Sequence, residues 1–537
     1  MWLDYLTITI GCKLNFKVFI PTSGIGSRLE EKTLFLNKSL MEVNFKPLIS
    51  HIIQKFSKKQ KFLISLGYLG DQVKQYLEMA HPETNFEYVK IDKFDGPKSG
   101  LGLSILKCKK KLQMPFIFIS CDSFLKGRLN ITINKNWLGF SKNSENFENY
   151  RSIKVVKNNF VEELFEKNHK KQKNIFKYIG VAGIKDYKIF WSKMKNVSDC
   201  IQEGESFAIK RMLHNNKFYA KEFKWSDGGN LKNLIQLQKK EKKIDINILP
   251  KVNEALWVID GNIIKFSNDK NFIKQRVQRQ KILKKYTPKI IRYSDNFYVY
   301  KKIEGQIFSK VVSISKFEIL LIYLKNFWVY KNLSQKSKLT FYKVCRKFYK
   351  NKTEKRIIEF YDKFKVKDKS EFINNQYRPK LKKILNQINW KNISNGVPVN
   401  FHGDLHFENI LTSDKNFFLL DWRQNFGGVI NYGDLYYDLA KLYHGLIIPH
   451  GSIVNNRFNI TIKKSKITYK IEKKPIYQKL SKNLDKWIIK NGYDLKKVKI
   501  MTGLIFLNIA ALHHNPYSKF LYYLGKDLLY REIYEKN

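Results

Sequence analysis

Between Phe16 and Gln238 short apolar runs alternate with longer amphipathic stretches, and this alternation restricts the fold more than any other feature of the chain. Phe16–Pro21, Lys61–Leu66, Asn85–Ile91 and Pro115–Ser120 have the length and composition of strands. Pro47–Phe56, Asp71–Ala80 and Gly102–Leu112 carry apolar residues at helical spacing. Strand and helix in turn point to a sheet whose strands are parallel and joined by crossovers, with helices on both faces. The expectation is an α/β domain with a mixed, mostly parallel sheet.

The texture changes after Leu237–Asp245, a charged, helix-compatible connector. Glu254–Asn268 and Lys289–Ile303 read as a small antiparallel sheet around one basic helix, and a mainly helical region runs from about Ser315 to the end. At roughly 100–200 residues per domain, 537 residues are too many for one core. The expected organisation is an α/β domain over 1–240, a small β-rich lobe over 241–305 and a helical lobe over 306–537. Cys12, Cys108, Cys121, Cys200 and Cys345 lie far apart without a CxxC pair, which argues against zinc or a disulfide framework and for reduced thiols in a cytoplasm. The apolar stretch Gly503–Leu512 is shorter than the ~20 residues of a membrane helix. Met1–Leu6 has no basic n-region and no cleavage site, so neither a membrane span nor a signal peptide is expected.

One hundred Lys and Arg against 47 Asp and Glu leave a net charge of +53. The cations are mostly Lys, spread through both halves among many Asn, Ile, Phe and Tyr, which is the residue usage of an A/T-rich genome. No specific nucleic-acid partner is expected on that ground. The surplus still attracts polyanions such as nucleotides through a field that salt screens.

The first predicted strand ends in Pro21-Thr22-Ser23-Gly24-Ile25-Gly26-Ser27-Arg28-Leu29. Glycines after a strand let backbone N–H groups crowd round a phosphate, because no Cβ blocks the approach. The third glycine of a dinucleotide fingerprint and the Gly-Lys-Ser/Thr of a Walker loop are both absent. Asn37-Lys38-Ser39-Leu40 follows, then Lys46-Pro47-Leu48-Ile49. A strand ends in Phe118-Ile119-Ser120-Cys121-Asp122, at the carboxyl end where open α/β sheets bind ligands. Trp225-Ser226-Asp227-Gly228-Gly229 comes much later.

This order resembles the sugar-nucleotidyltransferase family, which includes the phosphocholine cytidylyltransferases, over about 220 residues. The resemblance implies a Rossmann-like sheet in which Gly24, Gly26 and Arg28 cradle a triphosphate and Lys38 reaches its α-phosphate. It implies Gly96, Ser99 and Gly100 near the base, Asp122 and Asp227 on Mg2+, and Lys167 at the acceptor's phosphate. Thr22 and Ser23 stand where the family has alanines, and Asn37 where it has proline. Gly228 and Asn230 around the second aspartate are also atypical. These departures keep every charged participant. They leave the base and the acceptor open, with CTP or UTP as the expected second nucleotide.

The second motif is Phe401-His402-Gly403-Asp404-Leu405-His406-Phe407-Glu408-Asn409, followed by an apolar strand and Asp421-Trp422. An aspartate five residues before an asparagine, with another aspartate at the end of the next strand, is the arrangement of a phosphotransferase loop. The HGDxHxxN–DW form resembles the aminoglycoside phosphotransferase/choline kinase family, and Asp434-Leu435-Tyr436-Tyr437-Asp438 fits the same family. The resemblance implies a protein-kinase-like α+β domain that uses ATP and Mg2+. Asp404 would be the catalytic carboxylate, Asn409 and Asp421 the metal ligands, Lys265 the phosphate-binding lysine, and the segment around Glu304 the adenine hinge. The helix after Lys265 has no acidic residue, and Gln280 stands where a glutamate would pair with that lysine. His406 is expected to shape the loop, and Gly451–Lys474 to be a flexible insertion.

Two such sites on one chain imply consecutive steps. A small-molecule kinase would phosphorylate a sugar or amino alcohol, and a nucleotidyltransferase would convert the ester into an NDP-activated precursor, an NDP-sugar for surface polysaccharide. The alternatives are a choline or ethanolamine route ending in a CDP-alcohol, and, in another class, a non-catalytic nucleotide- or RNA-binding protein.

Overall fold

The computed structural model describes residues 15–127, 131–143, 145–242, 253–413 and 416–535. Met1–Leu6, Cys12 and the end of the Leu237–Asp245 connector lie outside them. The chain divides into two compact units: Met1–Lys270 with Arg292–Val299, and Asn271–Ile291 with Tyr300–Asn537.

Among the described residues of the first unit, nine strands form one sheet. Lys17–Pro21 runs parallel to Lys61–Leu66 on one side and to Phe116–Ile119 on the other. Asn85–Lys90 extends the parallel set. Val18, Phe19, Ile20, Phe62, Leu63, Ile64 and Ile117 are fully buried, because both faces of these strands are covered. Helices Leu48–Ile53, Gly70–Ala80 and Leu101–Cys108 lie between the strands in sequence. The first and third are shorter than their apolar pattern predicts. The rest of the sheet is antiparallel at its junction: Ile175–Ile184 runs against Phe116–Ile119, Trp137–Ser141 and Ser152–Val155. The sheet is therefore mixed, as expected. A separate antiparallel ribbon joins Ser123–Leu125 to Trp225–Asp227, with Asp227 opposite Ser123.

Glu254–Ile259 and Asn262–Ser267 form a hairpin turned at Asp260-Gly261, both with positive φ (46° and 73°), as a tight hairpin turn requires. It belongs to a four-stranded sheet with Phe297–Lys301 and Ile290–Tyr293. The sequence groups these strands with the chain that follows them, yet their apolar side chains enter the core of the α/β domain. Trp257 is fully buried, with its ring centroid 5.1 Å from that of Tyr76 on helix Gly70–Ala80. Val258 N donates to Phe45 O at 2.8 Å. Gln75 Oε1 accepts from Ser294 Oγ (2.9 Å) and Asn296 N (3.1 Å).

The second unit is mainly helical. Helices Leu435–Ile447, Leu495–Ala510 and Tyr517–Tyr534 form its centre, where Leu439, Leu442, Phe506 and Leu521 are fully buried. A Cβ on Gly525 would stand 3.0 Å from Gly503 O, so the last two helices approach through glycines. No described helix is long and apolar enough to cross a membrane. The expectation of a flexible insertion at Gly451–Lys474 is corrected: Phe458–Lys463 and Lys466–Ile471 pair as a hairpin and join Glu371–Ile373 in a four-stranded sheet. The alternation of apolar and basic residues there is the period of a half-buried strand, with Ile467 paired to Ile373 and both buried.

Candidate active sites

In the first unit, the turn after Lys17–Pro21 is shaped by small and polar residues. Gly26 has φ +74°, and a Cβ there would stand 3.0 Å from Lys38 Cβ, so glycine lets Lys38 pass. Gly24 would carry a Cβ into open space, which leaves this face of the turn free for a ligand. Thr22 Oγ1 donates to Ser65 O at 2.7 Å. Ser23 Oγ lies 2.7 Å from Ser104 Oγ, tying the turn to the helix that Gly100 caps. Ser99 Oγ donates to Gly96 O at 2.7 Å and closes the loop before that helix. Asn37 Nδ2 donates to Thr22 O (3.0 Å) and Tyr68 O (2.7 Å), while its Oδ1 accepts from Ser39 N (2.9 Å). The residue in the proline's place thus holds Lys38 beside the turn.

The ribbon register sets Asp227 one residue from facing Asp122, and Gly228 N donates to Asp122 O at 2.9 Å. A Cβ on Gly229 would lie 2.8 Å from Asp122 Oδ2 and 3.0 Å from Asp227 Oδ1, so the two carboxylates converge there. Lys38 Nζ is 3.4 Å from Asp122 Oδ2, and Ser120 Oγ donates to Asp122 Oδ1 at 2.5 Å. Burial pushes the Asp122 carboxyl up, but Lys38, Ser120 and Arg28 together hold it below its ordinary value. Lys38 is raised, by Cys121 first and then by Asp122. Burial lifts the Cys121 thiol to about 11, so at neutral pH the charged partner of Lys38 is Asp122.

Asp227 Oδ1 accepts from Gly229 N at 2.7 Å. Its Oδ2 accepts from Tyr150 OH and Asn233 Nδ2, both at 2.9 Å, and from Asn230 Nδ2 at 3.3 Å. Beside it opens a cavity of about 440 Å³ lined by Arg28, Tyr150, Lys167, Lys232 and five asparagines. The structure thus gathers Lys38, Asp122 and Asp227 at one point, and Arg28, Lys167 and Asp227 around one cavity. Sequence reasoning missed Tyr150, Asn233, Ser120 and Lys232. Asn233 follows Asp227 within two helical turns, but nothing local marks Tyr150, which is 77 positions away. Two converging carboxylates are hard oxygen donors that fit Mg2+, which completes its shell with phosphates and water. Among the described residues, no group of three or more His, Cys, Asp or Glu that could hold a metal is present.

In the second unit, Asp438 accepts from the N–H groups of His402 and Gly403, each at 2.7 Å, and from Trp328 Nε1 at 3.0 Å. Burial lifts its carboxyl to about 6. The loop it holds presents Asp404, whose Oδ1 is 2.7 Å from Lys441 Nζ. Asp404 Oδ2 lies 3.4 Å from Asn409 Nδ2 and 3.7 Å from His406 Nε2. Burial pushes Asp404 up, but Lys441 and His406 hold it well below the usual carboxylate range. His406 also reaches Glu408 Oε2 (3.2 Å) and Asn409 Nδ2 (3.1 Å), bridging the loop. Leu420 N donates to Asn409 O at 2.7 Å, at the root of the hairpin Ile410–Ser413 with Asn416–Leu419. Asn409 and Asp421 therefore stand at adjoining strand ends, and their carbonyl and carboxylate oxygens suit Mg2+.

Helix Lys270–Leu283 serves this loop with arginines. Arg276 NH1 is 3.3 Å from Asp421 Oδ1, and Arg279 donates to Phe401 O and, at 2.7 Å, to Arg423 O. The sequence pointed to Gln280 on the same helix. Lys265 stands on Asn262–Ser267 opposite Leu256 in the first unit. Glu304 is exposed and lies 3.1 Å from Lys302 Nζ.

No family model matches the chain. The N-terminal half is similar in sequence to the bifunctional protein GlmU of Methanococcus maripaludis, 26% identical over 220 residues, which covers 39% of this chain and 51% of that protein. GlmU of Methanococcus vannielii is 24% identical over 258 residues, covering 46% and 59%. The chain thus spans little more than half the length of these relatives. Glucose-1-phosphate cytidylyltransferase of Salmonella typhimurium is 36% identical over 62 residues, covering 11% of this chain and 24% of that one. Among solved structures, UDP-glucose pyrophosphorylase with UDP-glucose covers 42% of this chain and 97% of its own at 16% identity and a TM-score of 0.36. CTP:phosphocholine cytidylyltransferase from Streptococcus pneumoniae covers 43% and 100% at 17% identity and a TM-score of 0.35. The N-terminal half of the chain resembles the sugar nucleotidyltransferases.

Proposed function

We propose that the first unit is a nucleotidyltransferase and that the Asp404 loop of the second unit is the catalytic loop of a phosphotransferase. In the first reaction an oxygen of a phosphate monoester attacks the α-phosphorus of a nucleoside triphosphate, CTP or UTP, and the bond to the β-phosphate breaks to release pyrophosphate. The attacking phosphate is already ionised, so no general base is needed. What the site must supply is positive charge between two polyanions. The observation that carries this reading is the convergence of Asp122 and Asp227 over Gly229 with Lys38 at 3.4 Å from Asp122. Mg2+ held by Asp122 and Asp227 would neutralise the triphosphate. Lys38 and Arg28 orient the phosphates from the glycine-turn side, and Lys167 draws in the acceptor's phosphate.

The cavity supports a hydroxylated acceptor, a sugar phosphate. Asparagine amides donate to and accept from hydroxyl groups, whereas Arg28, Lys167 and Lys232 would repel a quaternary ammonium, and Tyr150 is the single aromatic among the described residues of its lining. In the second reaction Asp404 orients the acceptor hydroxyl, while Asn409 and Asp421 would hold Mg2+ on ATP. The ester so formed feeds the first site, and the product is an NDP-sugar.

Incubation with Mg2+, ATP, each other nucleoside triphosphate and a panel of sugars, amino sugars and choline tests the relay. Pyrophosphate release should require both ATP and one acceptor. Asp404→Asn should abolish ATP-dependent phosphorylation yet leave pyrophosphate release from a supplied sugar phosphate intact, and Asp122→Asn should do the reverse. Release with choline, and none with sugars, would replace the acceptor assignment.

A further inference from the structure

Asp227 has one oxygen facing Asp122 and the other saturated by side chains. Tyr150 OH and Asn233 Nδ2 each donate to Oδ2 at 2.9 Å, and Asn233 Nδ2 also lies 3.1 Å from Tyr150 OH. Neither residue belongs to the ribbon that carries Asp227. Tyr150 comes from the turn before strand Ser152–Val155, and Asn233 from the first turn of helix Leu231–Glu241. The Tyr150 ring is itself fixed, edge-on against Trp225 at 5.3 Å and 88°, with Lys177 Nζ 4.7 Å from its centroid. Asp227 sits on a three-residue strand, too short to hold a carboxylate alone. Its rotamer is set by these donors together with Asn230 Nδ2 on Oδ2 and Gly229 N on Oδ1.

We infer that Tyr150 and Asn233 are positioning residues that aim Asp227 at the divalent cation of the nucleotidyltransferase site. The inference rests on the reading above that Asp227 is a metal ligand. By holding Oδ2 away from the cation they leave Oδ1 toward Asp122, so that one ion meets one oxygen from each aspartate. Tyr150 also lines the cavity, next to Asn149, so an acceptor bound there would press on the same hydroxyl that orients the metal ligand. Outer partners of this kind alter metal affinity by about 10–100-fold when removed.

The test uses the full chain and Mn2+ as the probe, with binding read by electron paramagnetic resonance in the presence of CTP or UTP, and pyrophosphate release as a function of Mg2+. Tyr150→Phe and Asn233→Ala should each weaken Mn2+ about tenfold, with unchanged thermal midpoints. The Mg2+ concentration for half-maximal rate should rise more than kcat falls. Asn233→Asp, which keeps shape but adds a charge, should not recover affinity, whereas Asn233→Gln should recover part of it. Mn2+ affinity within twofold of the parent in both variants, read at the site that Asp227→Asn removes, would overturn the assignment. Absence of Mn2+ binding in the parent would remove the metal role of Asp227 and the assignment with it. Mn2+ binding without pyrophosphate release from any nucleotide would sink the nucleotidyltransferase reading alone and leave the positioning intact.

Discussion

The ammonium of Lys38 lies 3.4 Å from Asp122 Oδ2, while the hydroxyl of Ser120 donates to the other oxygen, Oδ1. A cation from the glycine-turn loop and an anion from a strand end thus meet before any substrate arrives. Lys38→Met should lower kcat for pyrophosphate release by 10²–10³-fold, or about 3–4 kcal/mol. Steady-state rates with a sugar 1-phosphate and saturating Mg2+ check this. A loss confined to KM would mean that Lys38 only binds.

Gly229→Ala adds one methyl between two carboxylates, 2.8 and 3.0 Å from their oxygens. The backbone there tolerates a side chain, so the thermal midpoint should hold within a few degrees. Catalysis should fall at least tenfold as the carboxylates part. Parallel melting curves and pyrophosphate assays separate the two effects.

Trp257→Ala should destabilise the first unit by about 3–5 kcal/mol, because the indole is fully buried against Tyr76. Denaturant titration should register this as an earlier loss of nucleotidyltransferase activity, although Trp257 lies beyond the connector. A loss confined to ATP-dependent phosphorylation would contradict this packing.

Burial lowers His51 and His81 to about 4, with His81 Nε2 2.7 Å from Ser50 Oγ. A depressed histidine binds fewer protons folded than unfolded, so stability is complete above the unfolded value of 6.5 and drains away as pH falls toward 4. Each contributes a slope of at most about 1.4 kcal/mol per pH unit. Melting curves from pH 7 to 4 should show this fall, and His81→Gln should flatten it.

Asp438→Asn keeps one acceptor oxygen and turns the other into a donor, so one of the His402 and Gly403 N–H groups, each bonded at 2.7 Å to a different oxygen, loses its acceptor. A loss of about 1–3 kcal/mol for the orphaned donor is expected, with phosphotransfer more affected than pyrophosphate release. Thermal unfolding alongside both assays measures it.

The parallel strands were legible because Val18–Ile20 and Phe62–Ile64 are unbroken apolar runs, the mark of burial on both faces. Asp122, Asp227 and Asp404 were singled out through family motifs, and the structure brings the carboxylates of Asp122 and Asp227 to one point. The role of Tyr150 was not legible, because its hydroxyl meets Asp227 only through the fold of a chain segment 77 positions long. The role of helix Lys270–Leu283 was hidden for another reason. A charge rule looked for an acid near Lys265, while the helix presents Arg276 to Asp421. The antiparallel pairing within Glu254–Asn268, which carries Trp257, was legible, but strand pairing does not state which neighbouring surface will cover it.

The two-strand ribbon that sets Asp227 across from Ser123 has a consequence for how this sequence can vary. Side chains alternate along a strand, so deleting or inserting one residue between Lys224 and Gly228 would send Ser226 inward and turn the carboxylate to the far face. Natural variants should therefore differ in spelling across this stretch but never in length.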